Sequence, residues 1–524
     1  MTNTITKAKY QARRLYAVEP PEGYAENMLL GTLQGLASNA GDEQIIVKTG
    51  AYELYKHELK NEYKCHVIEK DEEGRELTVL SLLRYFSYIP DGYILISDDP
   101  ESEGAYVAVS VAAQLNAVVA TESIESSVKN CELPILLDAR DKDDKWLRQS
   151  EYFAKLNRKI AVEQPAGSAP KLVDYAVAAG AYFAYVPSAD KDAHTEKFAF
   201  LEPGAVVYGW NSVLGEIDTV ASFASLNVCL VPADHAYNLS TLSGFRREML
   251  TQKPTAPKKE KAGDTKHTVC FIMSDGDNMQ WLLNGFGTSE NWYGSKLRGK
   301  FPIGWGMCAT ALDMTAPMVE HLYKEQTKND EFIMQLSGIG YTFPSKWDKN
   351  ELDKMASVLA EKMERLGLKY AEVLDDRAMT TETLSAFTSK EGIEGLFYID
   401  YWNYAGMNGR MLWSNGKPIV SAKYRLWADL DDGQIDFIAD KINSSSINPR
   451  NEDAYTFVTV HCWSGLDKNG ALVPDGNTMD AVNALIGKFS DNVEVVTPSV
   501  FMSRIINNLK KPELKPDAGH QVVR

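Results

Sequence analysis

No stretch of the chain is apolar for long enough to span a bilayer, and the opening "MTNTITKAKYQARRLY" lacks the apolar core of a secretory leader. With Met1 as the natural start the protein is expected in the cytoplasm; had a leader been removed ahead of Met1, it would be secreted or periplasmic. Cysteine is sparse. Cys65, Cys131, Cys229, Cys270, Cys308 and Cys462 lie far apart with no CxxC, which argues against a zinc ribbon or a disulfide scaffold and leaves them as small core residues. Positive charge is also short: 55 Lys and Arg stand against 72 Asp and Glu, and the formal net charge of -17 repels nucleic acid and anionic membrane. A neutral substrate suits such a surface better. Nothing in the pattern speaks to oligomeric state.

What is present is ordinary globular composition, 44% hydrophobic and 24% charged, over 524 residues, more than one core usually serves. The break is "MLTQKPTAPKKEKAGDTKH", where Pro, Lys and small residues interrupt every apolar pattern; residues 251–266 are read as a linker. Upstream, runs such as "EQIIVKT", "GYILISD", "AVVAT" and "AYFAYVP" alternate with amphipathic stretches and predict one or two small α/β subdomains, 1–130 and 131–250, with parallel strands. That half has neither a GxGxxG nor a P-loop and is expected to buttress its neighbour or extend its groove, not to carry catalysis. "DARDKDDKW" and His235 read as a solvated turn and a structural residue.

Downstream, strands are predicted at "HTVCFIM", "PIGWGMC", "EFIMQLS", "KYAEVL", "LFYID", "PIVSAKY", "YTFVTVH" and "VEVVTP", with helices such as "NELDKMASVLAEKMERLG" between them. That spacing predicts a C-terminal (β/α)7-8 barrel over residues 267–510, with 511–524 a flexible tail, and a barrel places its chemistry at the C-terminal strand ends. "SDGDN" puts Asp275, Asp277 and Asn278 there; the fourth strand ends in Asp375 and Asp376, the fifth in Asp400, the seventh in His461 and Trp463. Glu372 lies inside "YAEVL", where a carboxyl is costly unless paired or functional. Converging carboxyls push each other's pKa apart and can divide acid, base and nucleophile roles. A haloacid-dehalogenase reading of "SDGDN" is disfavoured, because Met279 stands where that motif wants Thr or Val. Tryptophans in loop-like segments, among them Trp347, Trp402 and Trp463, suggest faces for stacking a sugar ring, while Trp305 reads as core.

The segment "GIGYTFP" carries a resemblance. Gly338, Gly340, Tyr341 and Pro344 match the hallmark of the GxGYxYP family of putative glycoside hydrolases, and Phe343 replaces its second tyrosine. The resemblance implies a barrel similar to the glycoside hydrolase and deacetylase superfamily, a carbohydrate substrate, and polysaccharide degradation in a bacterial setting. On that basis the catalytic carboxyls are expected among Asp275, Asp277, Asp375 and Asp376, with Asn278, Tyr341, Trp347, Asp400, Trp402, His461 and Trp463 binding substrate. No cofactor is required. The HxxxH of related deacetylases is absent, His321 having no partner at that spacing. The alternatives are a metal-dependent carbohydrate esterase or deacetylase with Asp275, Asp277 and His461 as ligands to a divalent ion, and a non-catalytic glycan-binding protein.

Overall fold

Short, continuously apolar strands buried on both faces organise the chain into four mostly parallel sheets. The computed structural model describes residues 7–168, 171–255, 265–465 and 476–509. The first sheet holds β1 (Arg14–Val18), β2 (Glu43–Val47) and β3 (His66–Ile68) in the order β2-β1-β3. The second holds β4 (Gly92–Ile96), β5 (Ala117–Thr121) and β6 (Ile135–Asp138) in the order β5-β4-β6. The third holds β7 (Asn157–Glu163), β8 (Ala181–Ala184), β9 (Val206–Gly209) and β10 (Cys229–Pro232) in the order β10-β9-β7-β8. The expected one or two subdomains are therefore three small sheets, and residue 130 falls between β5 and β6 of a single one. β3 is only three residues long, and β6, apolar in sequence as "ILLD", is four residues long and part-exposed, so neither marks out a sheet by its pattern.

The C-terminal region is one large curled sheet. It contains β11 (His267–Met273), β12 (Ile303–Cys308), β13 (Asp330–Gln335), β14 (Tyr370–Asp375), β15 (Gly395–Asp400), β16 (Met411–Ser414), β17 (Lys417–Ser421), β18 (Tyr424–Leu426), β19 (Tyr455–Val460) and β20 (Val493–Val495). Its order is β16-β17-β15-β14-β13-β12-β11-β19-β18, with β20 beside the start of β11. β16 was unforeseen: "RMLWSNG" reads as a loop, yet Asn415 and Gly416, both at positive φ, turn β16 onto β17 as an antiparallel hairpin and bury Trp413. The predicted strand "PIVSAKY" is divided between β17 and β18. At the division the Ala422 N–H donates to the Tyr398 carbonyl on β15 and the Lys423 N–H to the Phe457 carbonyl on β19, each at 2.9 Å.

Helices cover the outside of the sheet for legible reasons. Lys349–Arg365 starts at Asp348, whose carboxylate accepts from the Asn350 and Glu351 N–H groups, and ends with Lys362 and Arg365 at the negative end of its dipole. Leu352, Met355, Ala356, Leu359 and Met363 give it a buried stripe. The start of the proposed linker is tied down, since the Gln252 amide bonds the Phe332 carbonyl and N–H of β13 at 2.9 and 2.8 Å. Residues 256–264 and the proposed tail 511–524 lie outside the described residues. Among the described residues no helix is long and apolar enough to cross a membrane.

Candidate active site

The C-terminal ends of the curled sheet's strands face those of β9 and β10, and a cavity of about 370 Å³ lies between them. Its depth comes from the turn after β11. An added Cβ on Gly276 would meet the Gly306 carbonyl oxygen at 2.5 Å, so only glycine lets this turn press against β12. Asp275 beside it takes left-handed backbone, φ 61°, a conformation that costs energy and recurs at functional sites. Asp275 and Asp277 are thereby set into the cavity, together with Ser274 and Asn278.

Asp277 is only 3% exposed, and burial with Asp275 and Glu216 nearby pushes its pKa up to about 8. Asn278 donates to its Oδ1 at 3.3 Å. Asp275 Oδ2 accepts from Ser274 Oγ at 2.6 Å and from Cys462 Sγ at 3.2 Å. Glu372, midway along β14 and 1% exposed, also lines the cavity. Gln335 Nε2 donates to its Oε1 at 2.7 Å, its Oε2 has no partner, and burial beside Asp277 drives its pKa far above the carboxylate range. The carboxyl inside "YAEVL" is thus a cavity group.

The opposite wall comes from the N-terminal half: Trp210 after β9, Glu216 opening the helix Glu216–Ser225, and Pro232 ending β10. Tyr341 joins the two sides. Its backbone pairs with Leu230 of β10 through N–H···O bonds of 3.0 and 2.6 Å, and its hydroxyl donates to Glu216 Oε1 at 2.7 Å. Gly340 makes this docking possible, because a Cβ there would lie 2.7 Å from the Leu230 oxygen. Phe343 is fully buried and packs edge-on against Tyr341 and Tyr401, a role that needs the ring and no hydroxyl. Trp281, Tyr404, Trp427 and Trp463 complete an aromatic flank.

Residues 265–505 match the model described as "GxGYxYP putative glycoside hydrolase C-terminal domain", residues 157–244 the GxGYxYP third domain, and residues 90–156 the GxGYxYP_N second domain. The chain belongs to the GxGYxYP family. Its fold is similar to a solved structure described as a putative hydrolase from Bacteroides thetaiotaomicron VPI-5482, at TM-score 0.84 and 27% identity over 95% of this chain and 96% of that one. No curated protein matches.

Within this family member the structure gathers Asp275, Asp277, Asn278, Tyr341, His461 and Trp463 around one cavity. Four other expected site residues lie outside its lining, and Trp347 does too. Asp375 is buried, and its oxygens accept from Ser345 N–H, Ser345 Oγ and Asp376 N–H at 2.9, 2.7 and 2.8 Å, fastening the family loop to the end of β14; burial raises its pKa to about 6. Asp375→Asn is therefore expected to lower stability by about 1–3 kcal/mol, through amide hydrogens set against donors, while turnover falls far less than for the cavity carboxyls; a melting curve and an assay on the same sample check both. Asp376 bonds Trp402 Nε1 at 2.7 Å and pairs with Lys346, Asp400 accepts from the Arg377 N–H, and Trp402, 53% exposed, lies under the Arg377 guanidinium. Trp347 is buried, its Nε1 donating to Thr342 Oγ1 at 2.6 Å, which packs it against its own loop. Glu216, Trp210, Trp281, Tyr404 and Trp427 were not foreseen. For Glu216 no local pattern exists, since only the fold carries it to the sheet.

Asp275, Asp277 and His461 line the same cavity, but their ligating atoms do not all lie within 4.8 Å of one another. His461 lies flat on Trp427, ring centroids 3.8 Å apart, with Nδ1 bonded to Ser464 Oγ at 3.2 Å. Among the described residues the group of carboxylate, imidazole or thiol side chains with ligating atoms within 4.8 Å of one another is Glu58, Glu62 and Glu320, where Lys324 already pairs with all three.

Proposed function

We propose that the protein is a glycoside hydrolase whose general acid is Asp277 and whose partner carboxyl is Asp275. The reading rests on one observation: Asp277 is buried in a cavity of four carboxyls and six large aromatic side chains, with its pKa raised to about 8. It therefore holds a proton at neutral pH, as an acid catalyst must. In the reaction that proton passes to the glycosidic oxygen as the bond to the anomeric carbon breaks. Asp275, on the same turn and less buried, serves that carbon as nucleophile or as base for the attacking water, so water is added across the bond overall. Burial, with Asp275 and Glu216 nearby, keeps a negative charge on Asp277 unfavourable until substrate takes the proton. The aromatic flank supplies stacking surface for pyranose faces. We read the curled sheet as a barrel closed through Ala422 and Lys423, whose N–H groups bond β15 on one side and β19 on the other, which puts the pair at the catalytic end of such a fold.

The test is product analysis of the full chain on a panel of aryl glycosides and oligosaccharides, with Asp275→Asn alongside. Hydrolysis by the native protein and a loss of about 10³-fold or more in the variant are expected. No product from any member, or equal turnover by the variant, refutes the reading.

A further inference from the structure

The cavity contains more acid than two-carboxyl hydrolysis uses. Asp275 and Asp277 are occupied by the proposed chemistry, which leaves Glu216 and Glu372, and the lining has no lysine or arginine to balance them. Gathering four carboxyls around one cavity, Asp277 and Glu372 of them buried, is unfavourable unless protons or a cation neutralise them. Two details point to a ligand in that role. Glu372 Oε2 is buried without a partner although the residue borders an open cavity. Tyr341 takes Glu216 Oε1, which leaves Oε2 for another donor. Aromatic rings line the same cavity, Trp210 among them and Tyr404 and Trp427 in edge-on contact at 4.9 Å, and π faces attract a cation as well as sugar carbons.

We infer that the site selects sugars bearing a free amino group, with the ammonium received by Glu216 on the N-terminal wall and the ring held against the aromatic flank. The inference rests on the proposed glycan substrate but not on its cleavage. The Asp277, Glu216 and Glu372 pKa values are all raised in the free protein, burial being the first cause in each. An arriving ammonium lowers them, so binding near neutral pH releases protons. Uronates and sulfated sugars add negative charge to a lining of four carboxyls with no lysine or arginine, and are expected to bind more weakly than the amine.

The experiment is calorimetric titration of the full chain at pH 7 with matched sets: glucosamine, galactosamine, mannosamine and glucosamine oligomers, each against its hydroxyl and N-acetyl counterpart, plus glucuronate. At least one amine is expected to bind about tenfold or more tightly than its counterparts. Its apparent heat should change between buffers of different ionisation enthalpy in the direction of proton release. Glu216→Gln, checked for fold by circular dichroism, should erase the amine preference, so that the amine and its hydroxyl counterpart bind the variant with equal affinity. The inference is overturned if no amine outbinds its hydroxyl counterpart, if binding takes up protons, or if glucuronate binds as well. Should the variant misfold, the preference and the proton release of the native chain decide. Amine-selective binding without any cleaved product keeps this inference and removes the hydrolase reading; cleavage of neutral glycosides with no amine preference does the reverse.

Discussion

Asp277→Asn is expected to lower kcat by about 10²- to 10⁴-fold on substrates with poor leaving groups, and much less on activated aryl glycosides whose departure needs little protonation. The native enzyme should lose activity as pH rises through about 8, where Asp277 gives up the proton it must donate. The same residue should mark stability with a definite sign. Its folded pKa is raised above the unfolded value, so between about 4 and about 8 the native state holds a proton that the unfolded chain has released. Stability from this group is therefore fully present at low pH and is lost as pH rises through that window. Asparagine does not titrate, so the melting temperature of the variant relative to the native protein should climb from pH 4 to 8 and level off above. A variant with native turnover, or one whose relative stability falls with pH, would contradict the assignment.

How much of this could be read in advance depends on how local each feature is. "SDGDN" after an apolar strand was legible because strand, glycine and carboxyls are contiguous, and the structure sets Asp275 and Asp277 in the cavity. Asp375 follows the same rule of place, yet its side chain is consumed by Ser345. A strand-end carboxyl looks alike in sequence whether it faces a cavity or a loop, and hydrogen-bond partners 30 residues away decide which. Tryptophan in loop-like sequence suggested exposed stacking faces. Trp463 at 48% exposure fits that expectation, while Trp292, Trp347 and Trp413 fold back into the core, because a loop next to a large core can bury an indole at little backbone cost. Least legible was the wall built by Trp210 and Glu216, which depends on how a separate sheet docks. The N-terminal half was expected to extend the groove, and it lines the cavity with Trp210, Glu216 and Pro232. The ionisable Glu216 goes beyond that expectation.

That docking makes the family glycine Gly340 the site of a second large effect. A strand exit alone would tolerate alanine here, since Gly340 is not among the glycines at positive φ. What forbids a side chain is the neighbour: the new Cβ would sit 2.7 Å from the Leu230 carbonyl oxygen and 3.0 Å from its carbon, both backbone atoms that no rotamer change can move aside. Gly340→Ala must therefore push the loop off β10, breaking or lengthening the two Tyr341–Leu230 backbone bonds and drawing the Tyr341 hydroxyl away from Glu216. We expect a loss of about 1–3 kcal/mol in stability. Activity should fall by up to about 10²-fold, because a displacement of order 1 Å separates the two walls of the site. Gly487→Ala is the control. It closes the helix Thr478–Gly487 with nothing within 4 Å of an added Cβ, so it should be neutral or gain up to about 1 kcal/mol from helix propensity. Melting and turnover measured on both variants separate the two ideas: if Gly340→Ala behaves like Gly487→Ala, the motif's second glycine serves chain flexibility, and the joining of the two halves through Tyr341 is not what the site depends on.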